Sequence, residues 1–371
     1  MADVLIDVPA GGGSAQFIRP AAWRLRPSNL LERFRDSARD LNPCQWYRLV
    51  DAFLGVESED SPLRLRFQEL YGEFGADTPA PSETRRGLHC RVQVRSDLPT
   101  HLITFTSEEE IRIVDFILDM FHDRGYVEMP GAYDWRCVGR DGKAHPTLSA
   151  RGAQVLVDAR EPWQPLIASF AVNWVMRMQP ELLFFHASAV GIDDAGVLIT
   201  GGKGAGKSTM SMALGAQGHD FLGDEIAAVR KRTYELEPFR RAVSIRPGPQ
   251  APQVKRLLEG APTSTERFPD GTTRTRVEAG KLFPQAGARP RRLRWVFFLS
   301  GFADTPRAEA FLPSTADLQL LVPLPGTLGG KSRATRIFEI AKLLSNTNCY
   351  RLHPGLPEET ARLVERIVRT Q

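Results

Sequence analysis

Apolar and polar positions follow several rhythms along this chain, and the changes of rhythm mark its parts. Ser28-Asn29-Leu30 offers a cap for a helix over LLERFRDSARDL, and Leu63 to Phe74 continues at helical spacing. A Pro/Ser/Thr-rich stretch, ADTPAPSETRRG from Ala76 to Gly87, reads as a linker. From Leu88 the string LHCRVQVRS alternates with period two, as a half-buried strand does. Glu108 to Arg124 returns to helical spacing, with Ile111, Val114, Ile117, Leu118 and Phe121 on one face.

The later part is more legible. Leu166 to Met178 has helical spacing, and LFFHASAVGI, ending at Ile192, reads as one buried strand. Asp193-Asp194-Ala195-Gly196 is a turn signal, and Gly196 to Thr200 is a second strand leading into a glycine loop. A helix to about Gln217 and a strand around Phe221 follow. Further strands are predicted at Tyr234–Leu236, Ala242–Ile245, Trp295–Leu299 and Ala308–Leu312, with a closing helix from Pro354 to Arg369. This is richer in strands than a repeating βαβ pattern. The expected division is a mostly helical extension over 1–78, a small α+β region over 86–155 suited to substrate recognition, and an α/β domain over 156–371.

Composition narrows the classes. Of 371 residues, 42% are hydrophobic and 25% charged, so there is ample apolar material for a core. The formal charge of +4 is too small to argue for nucleic acid or an anionic membrane. Cys44, Cys90, Cys137 and Cys349 lie far apart without C-x-x-C spacing, which speaks against a disulfide framework and for a reducing compartment. MADVLIDVPAGGGSAQ lacks the features of a secretion signal, and no apolar run approaches a membrane span. A cytoplasmic protein is expected.

Chemistry enters at Gly201 to Ser208, which fits G-x-x-x-x-G-K-[ST] between a predicted strand and a predicted helix. Gly201, Gly202, Gly204 and Gly206, with Lys203 and Ala205, form a loop whose amides can point inward at a phosphate chain. The helix that follows aims its positive end at the same anion. Lys207 can reach the terminal phosphates, and the Ser208 hydroxyl can ligate Mg²⁺. Lys203 either touches a phosphate or stands solvated; Thr209 is either a ligand or an ordinary first-turn residue.

After the helix comes GHDFLGDEIAAV, with Gly218 as a C-cap and Asp224-Glu225 at a strand end. Only one short helix and one strand separate this pair from Lys207, closer than in most P-loop ATPases. Two carboxylates there suit phosphoryl transfer: one accepts the proton of an attacking hydroxyl, the other helps to hold the metal. The bland alternative is a solvated strand end.

The string FFHASAV…GVLITGGKGAGKST…GHDFLGDE resembles the catalytic domain of the HPr serine kinase/phosphorylase family, in particular the HPr-kinase-related kinases found beside peptide-modifying and other biosynthetic genes. The resemblance is tight over Leu183 to Val229, loose from Leu88 to the C-terminus, and absent before the linker. It implies a phosphoenolpyruvate-carboxykinase-like mixed-sheet fold, ATP and Mg²⁺ as cofactors, and phosphorylation of a hydroxyl, typically serine. By that likeness Asp224 is the base, Glu225 serves the metal, and His186 lies close to the phosphates; otherwise His186 is a satisfied core histidine. His219 matches a family position and reads as structural. The founding members form homo-oligomers. Departures are Glu225 where the family has aspartate, Thr209 where the bifunctional enzymes have glutamate, and no glycine-rich phosphorylase segment. In that segment's place stands PFRRAVSIRPG, where Arg240, Arg241 and Arg246 either offer a guanidinium to the transferred group or form a basic surface strand.

The leading expectation is a kinase acting on a peptide, protein or small-molecule hydroxyl. The alternatives are a nucleotide-binding regulator or ATPase, and a carboxykinase-type enzyme, for which no His/Lys/Asp cluster suited to Mn²⁺ is visible. The basic segments Arg85-Arg86 and Arg289-Pro290-Arg291-Arg292 either meet an acidic partner or are solvated.

Overall fold

The computed structural model describes residues 43–79, 86–94, 100–113, 125–128, 148–158, 164–246, 254, 256–267, 273–321 and 333–370. The helix expected over LLERFRDSARDL, half of the linker (80–85, with Arg85), residues 114–124 and Cys137 lie outside them. The chain divides into two compact units, one of residues 1–68 and 74–179, the other of 69–73 and 180–371. No helix among the described residues is long and apolar enough to cross a membrane.

The first unit holds a seven-stranded sheet built from β1 (Gln45–Leu49), β2 (Ala52–Ser58), β3 (Gly75–Ala76), β4 (Gly87–Gln93), β5 (Thr100–Ile113), β6 (Gly125–Glu128) and β7 (Leu148–Asp158), in the order β3-β1-β2-β4-β5-β7-β6. Period-two alternation explains β4: Leu88, Cys90 and Val92 are fully buried, while Arg91 between them is exposed. Helix α1 (Ser61–Tyr71) falls where helical spacing placed it. A second helix, α2 (Gln164–Arg177), packs Phe170 and Trp174 on Phe105 of β5, with ring centroids 4.7 and 5.9 Å away.

Three expectations change here. Among the described residues the extension is not mostly helical, since β1 and β2 form a hairpin within the sheet. Glu108 to Ile113 is strand, not helix: Ile111 and Ile113 also satisfy period two, and pairing of Ile111 with Ala150 and of Ile113 with Leu148 decides between the rhythms. The unit boundary falls at Gln179/Pro180 rather than near 156, because α2 packs against the first sheet.

The second unit has a nine-stranded mixed sheet. Its strands are β8 (Leu182–Phe185), β9 (Ser188–Ile192), β10 (Ala195–Gly201), β11 (Asp220–Gly223), β12 (Ala227–Arg230), β13 (Glu235–Glu237), β17 (Arg291–Leu299), β18 (Arg307–Ala310) and β19 (Asn348–His353). A smaller sheet joins β14 (Val243–Ile245), β15 (Ser264–Arg267) and β16 (Thr273–Val277) in the order β14-β16-β15. The hairpin β9–β10 is antiparallel, whereas β10, β17 and β19 run parallel. Helix α3 (Lys207–Ala216) leaves β10 through the glycine loop. Besides short helical turns at Ala279–Leu282 and Thr315–Leu318, two longer helices follow, α4 (Arg333–Leu344) and α5 (Pro357–Thr370).

β10 is apolar almost throughout because both its faces are covered. Val197 and Ile199 join a core with Leu214 of α3 and Val364 of α5, while Leu198 joins Phe185, Val296 and Leu343 on the other side. A mixed α/β architecture, with a hairpin feeding the loop, is what the residue pattern predicted.

The expected single strand ending at Ile192 is broken in two. β8 pairs with β12 through Phe185↔Ala227, and β9 pairs with β11 through Ala189↔Gly223. These two pairs share one antiparallel register, which shifts by one residue between Phe221 and Gly223. Between the two ladders the pairing breaks where His186-Ala187-Ser188 faces Asp224-Glu225-Ile226.

Candidate phosphate loop and carboxylate site

That opening is where the candidate residues gather. Gly223 permits it, since a Cβ there would stand 2.6 Å from the Ile226 carbonyl oxygen and 2.9 Å from that of Phe239. Glu225 turns the chain with φ at 61°, a left-handed conformation that costs a residue with a Cβ about 1 kcal/mol or more and that the surroundings must hold in place.

Asp224 is buried, with relative exposure of 1%. The Ser188 hydroxyl donates to its Oδ1 at 2.6 Å, and Oδ2 is buried without a hydrogen-bond partner. Burial, then the neighbouring Glu225 charge, push the Asp224 carboxyl up to about 6, against the pull of Ser188, Ser208 and the Glu225 amide. Such a carboxylate is ionised at neutral pH yet basic enough to take a proton.

Glu225 is set differently. Arg241 Nη1 lies 2.9 Å from its Oε2 and Arg274 Nη1 lies 3.5 Å from its Oε1. Burial pushes this carboxyl up, yet positive charge around it, that of Arg241, Arg276 and Arg274 included, holds Glu225 well below the usual carboxylate range. The residue expected to serve a metal is thus engaged by guanidinium groups. Of the arginines of PFRRAVSIRPG, Arg241 belongs to this cluster. Arg240 pairs with Glu73 at 2.8 Å and Arg246 is exposed.

His186 stands at the break, its Nδ1 3.2 Å from the Glu225 carbonyl oxygen. Burial, then the Lys207 charge, push it down to about 4, so it is neutral at pH 7. A neutral ring that donates from Nδ1 to a carbonyl keeps its Nε2 as an acceptor.

Gly204 and Gly206 of the loop have φ of 78° and 99°, and a Cβ on Gly204 would meet nothing within 4 Å, which leaves that side open for an anion. No side chain caps α3, so its first amides stay available to a ligand. Lys207 folds back to donate to the carbonyls of Gly201 (2.9 Å) and Gly202 (3.2 Å). Burial lowers its pKa, partly offset by Asp224 and Glu225. Gly202 and Lys203 are exposed; Ala205, Ser208 and Thr209 are half-buried.

Several residues stand elsewhere or were missed. His219 Nε2 lies 3.5 Å from Glu365 of α5, a packing position away from the opening. Arg291 of the basic run turns to Asp220 at 2.5 Å. Arg274 and Arg276 escaped attention because RTR on β16 reads as a solvated strand, yet both are buried. Ser188 lay inside the quoted string, and only the strand register brings it opposite Asp224.

The Ser208 hydroxyl, at the end of the glycine loop, is a hard oxygen donor of the type that Mg²⁺ takes. Magnesium is commonly held by one or two carboxylates together with substrate phosphates and water. Among the described residues no group of three or more His, Cys, Asp or Glu forms a self-sufficient metal cage.

No family model matches this chain, and no curated protein matches it. Among solved structures, the Hpr(Ser) kinase/phosphatase from Coxiella burnetii is similar at a TM-score of 0.25 and 17% identity, over 50% of this chain and 93% of that one. A likeness this slight leaves the function to the geometry of the site.

Proposed function

We propose that the second unit is an ATP- and Mg²⁺-dependent kinase that transfers the γ-phosphate to a hydroxyl group, of a serine in a peptide or protein or of a small molecule. The observation that carries this reading is the buried Asp224 carboxylate, oriented by Ser188, raised towards neutrality, and adjacent to a strand–loop–helix phosphate motif. Its free Oδ2 is the atom that accepts the proton of the acceptor hydroxyl. The Ser208 hydroxyl would supply an oxygen ligand for the cation, which would neutralise charge on the phosphate oxygens when bound, while Asp224 is left to act as the base. The loop amides hold the phosphates, and Lys207 exchanges its two carbonyl partners for phosphate oxygens. Glu225 keeps the opening in shape by holding Arg241 and Arg274, and neutral His186 braces the same turn through the Glu225 carbonyl.

The test is product analysis with γ-labelled ATP and hydroxyl-bearing acceptors. Label on an acceptor hydroxyl supports transfer; inorganic phosphate as the sole product would reduce the protein to an ATPase. Lys207→Ala is expected to weaken ATP binding by roughly tenfold or more, since a charge-assisted contact is worth about 1.5–3 kcal/mol. Unchanged affinity in a binding titration would contradict the cradle. The base works only when ionised, so kcat/KM is expected to rise with pH through about 6 and level off above it. A profile flat from pH 5 to 8 would remove Asp224 from that role.

A further inference from the structure

We propose that the shallow apolar groove beside the phosphate loop seats the base of the nucleotide, and that Phe302 is the surface on which a purine ring stacks. This rests on reading Gly201–Ser208 as a triphosphate cradle. β17 lies beside β10 and parallel to it, so the segment that leaves β17 (Ser300-Gly301-Phe302) emerges at the same end of the sheet as the glycine loop. Crevices at that end of adjoining parallel strands are where α/β sheets take ligands. The Phe302 ring is 56% exposed, and a Cβ built on Gly206 would lie 3.7 Å from its Cε1. The ring therefore stands alongside the start of α3.

The groove is shallow, enclosing only about 20 Å³, so a base would lie on it rather than in it; it is lined by Gly206, Thr209, Phe302, Pro354, Gly355 and Thr360 among others. Gly206 belongs to the loop, so the groove begins where the phosphate cradle ends. An apolar floor beside a flat aromatic ring suits a flat, weakly hydrated heterocycle better than a sugar or another phosphate. The Thr360 hydroxyl is already occupied: it donates to the Leu356 carbonyl at 2.8 Å and accepts from the Gly355 amide at 3.0 Å. Of the lining side chains this leaves the Thr209 hydroxyl alone to meet the edge of a base. The donor class is therefore purine nucleoside triphosphates held by stacking, with weak discrimination between adenine and guanine, because stacking engages the face that every base has.

Calorimetric titration of the full chain with Mg·ATP, Mg·GTP and Mg·tripolyphosphate tests this. Phe302→Ala is expected to weaken both nucleotides by roughly five- to a hundredfold, the range of alanine substitutions under a stacked base, while leaving tripolyphosphate unchanged. Phe302→Trp should retain nucleotide affinity. The base seat is overturned if the alanine variant binds ATP as the wild type does, if tripolyphosphate weakens in step with the nucleotides, or if the wild type prefers ATP to GTP by more than about a hundredfold, beyond what stacking alone gives. A wild type that binds tripolyphosphate and ATP equally keeps the cradle and loses the base seat. A wild type that binds neither loses both.

Discussion

Replacing Asp224 with asparagine is expected to lower phosphoryl transfer by about 10²–10⁴-fold, the usual contribution of a positioned general base, while ATP affinity stays close to wild type. The substitution keeps shape: asparagine Oδ1 can still accept from the Ser188 hydroxyl, so geometry is preserved and basicity is lost. The same variant makes a second, opposite forecast about stability. The Asp224 pKa is raised on folding, from 3.8 to about 6, so the native state binds more protons than the unfolded chain between those values. Stability therefore falls as pH rises through that window and stays reduced above it. Asparagine escapes this penalty, so the variant should melt a few degrees higher than wild type at pH 7.5, with no gap near pH 4. Loss of activity together with a raised melting temperature is the pattern of a residue kept for chemistry rather than for folding. Full transfer activity in the variant would refute the base; a lower melting temperature at pH 7.5 would refute the electrostatic account.

Glu225→Gln is expected to act in the other direction, by destabilising the second unit. Arg274 and Arg276 of β16 and Arg241 are each less than a tenth exposed, and the Glu225 carboxylate faces all three. Removing one partner from a buried ionic cluster typically costs about 3–5 kcal/mol, because the remaining charges stay out of water. For a unit of this size that lowers the melting temperature by roughly 10 °C. The pH dependence carries its own sign. The Glu225 pKa is depressed on folding, so its contribution is fully present above the ordinary carboxylate range and fades as pH falls below it. The gap between wild type and variant should thus be widest near pH 7 and narrow below about pH 4. Glu225→Asn separates charge from backbone, since asparagine tolerates the left-handed φ of 61° yet lacks the carboxylate. If either variant melts with the wild type at pH 7.5, the arginine cluster does not depend on this carboxylate.

These two neighbours show how far adjacent, chemically similar residues can diverge. Asp224 and Glu225 look like a matched pair in the linear string, and family likeness gave the second a metal. In the fold one carboxyl is pushed up by burial and the other is pulled down by positive charge, three guanidinium groups included. That difference comes from Arg241 and from β16, both outside the local string. No window of sequence around GDE could contain it.

Short-range order was legible from the residues alone. The strand–glycine loop–helix over Gly196 to Ala216, the strand at Phe221 and the C-terminal helix are written in local periodicity, turn residues and glycine positions, each acting over a few neighbours. The pairing of distant segments was not. Ile111 and Ile113 fit two rhythms until β7 chose one; LFFHASAVGI read as continuous until its register against residues 220–230 opened it at His186; Ser188 and Arg274 gained their roles from partners remote in sequence. The physical reason is that propensity and periodicity are sums over near neighbours, whereas strand register, burial of charge and the perturbation of a carboxyl depend on whatever the rest of the chain packs around it.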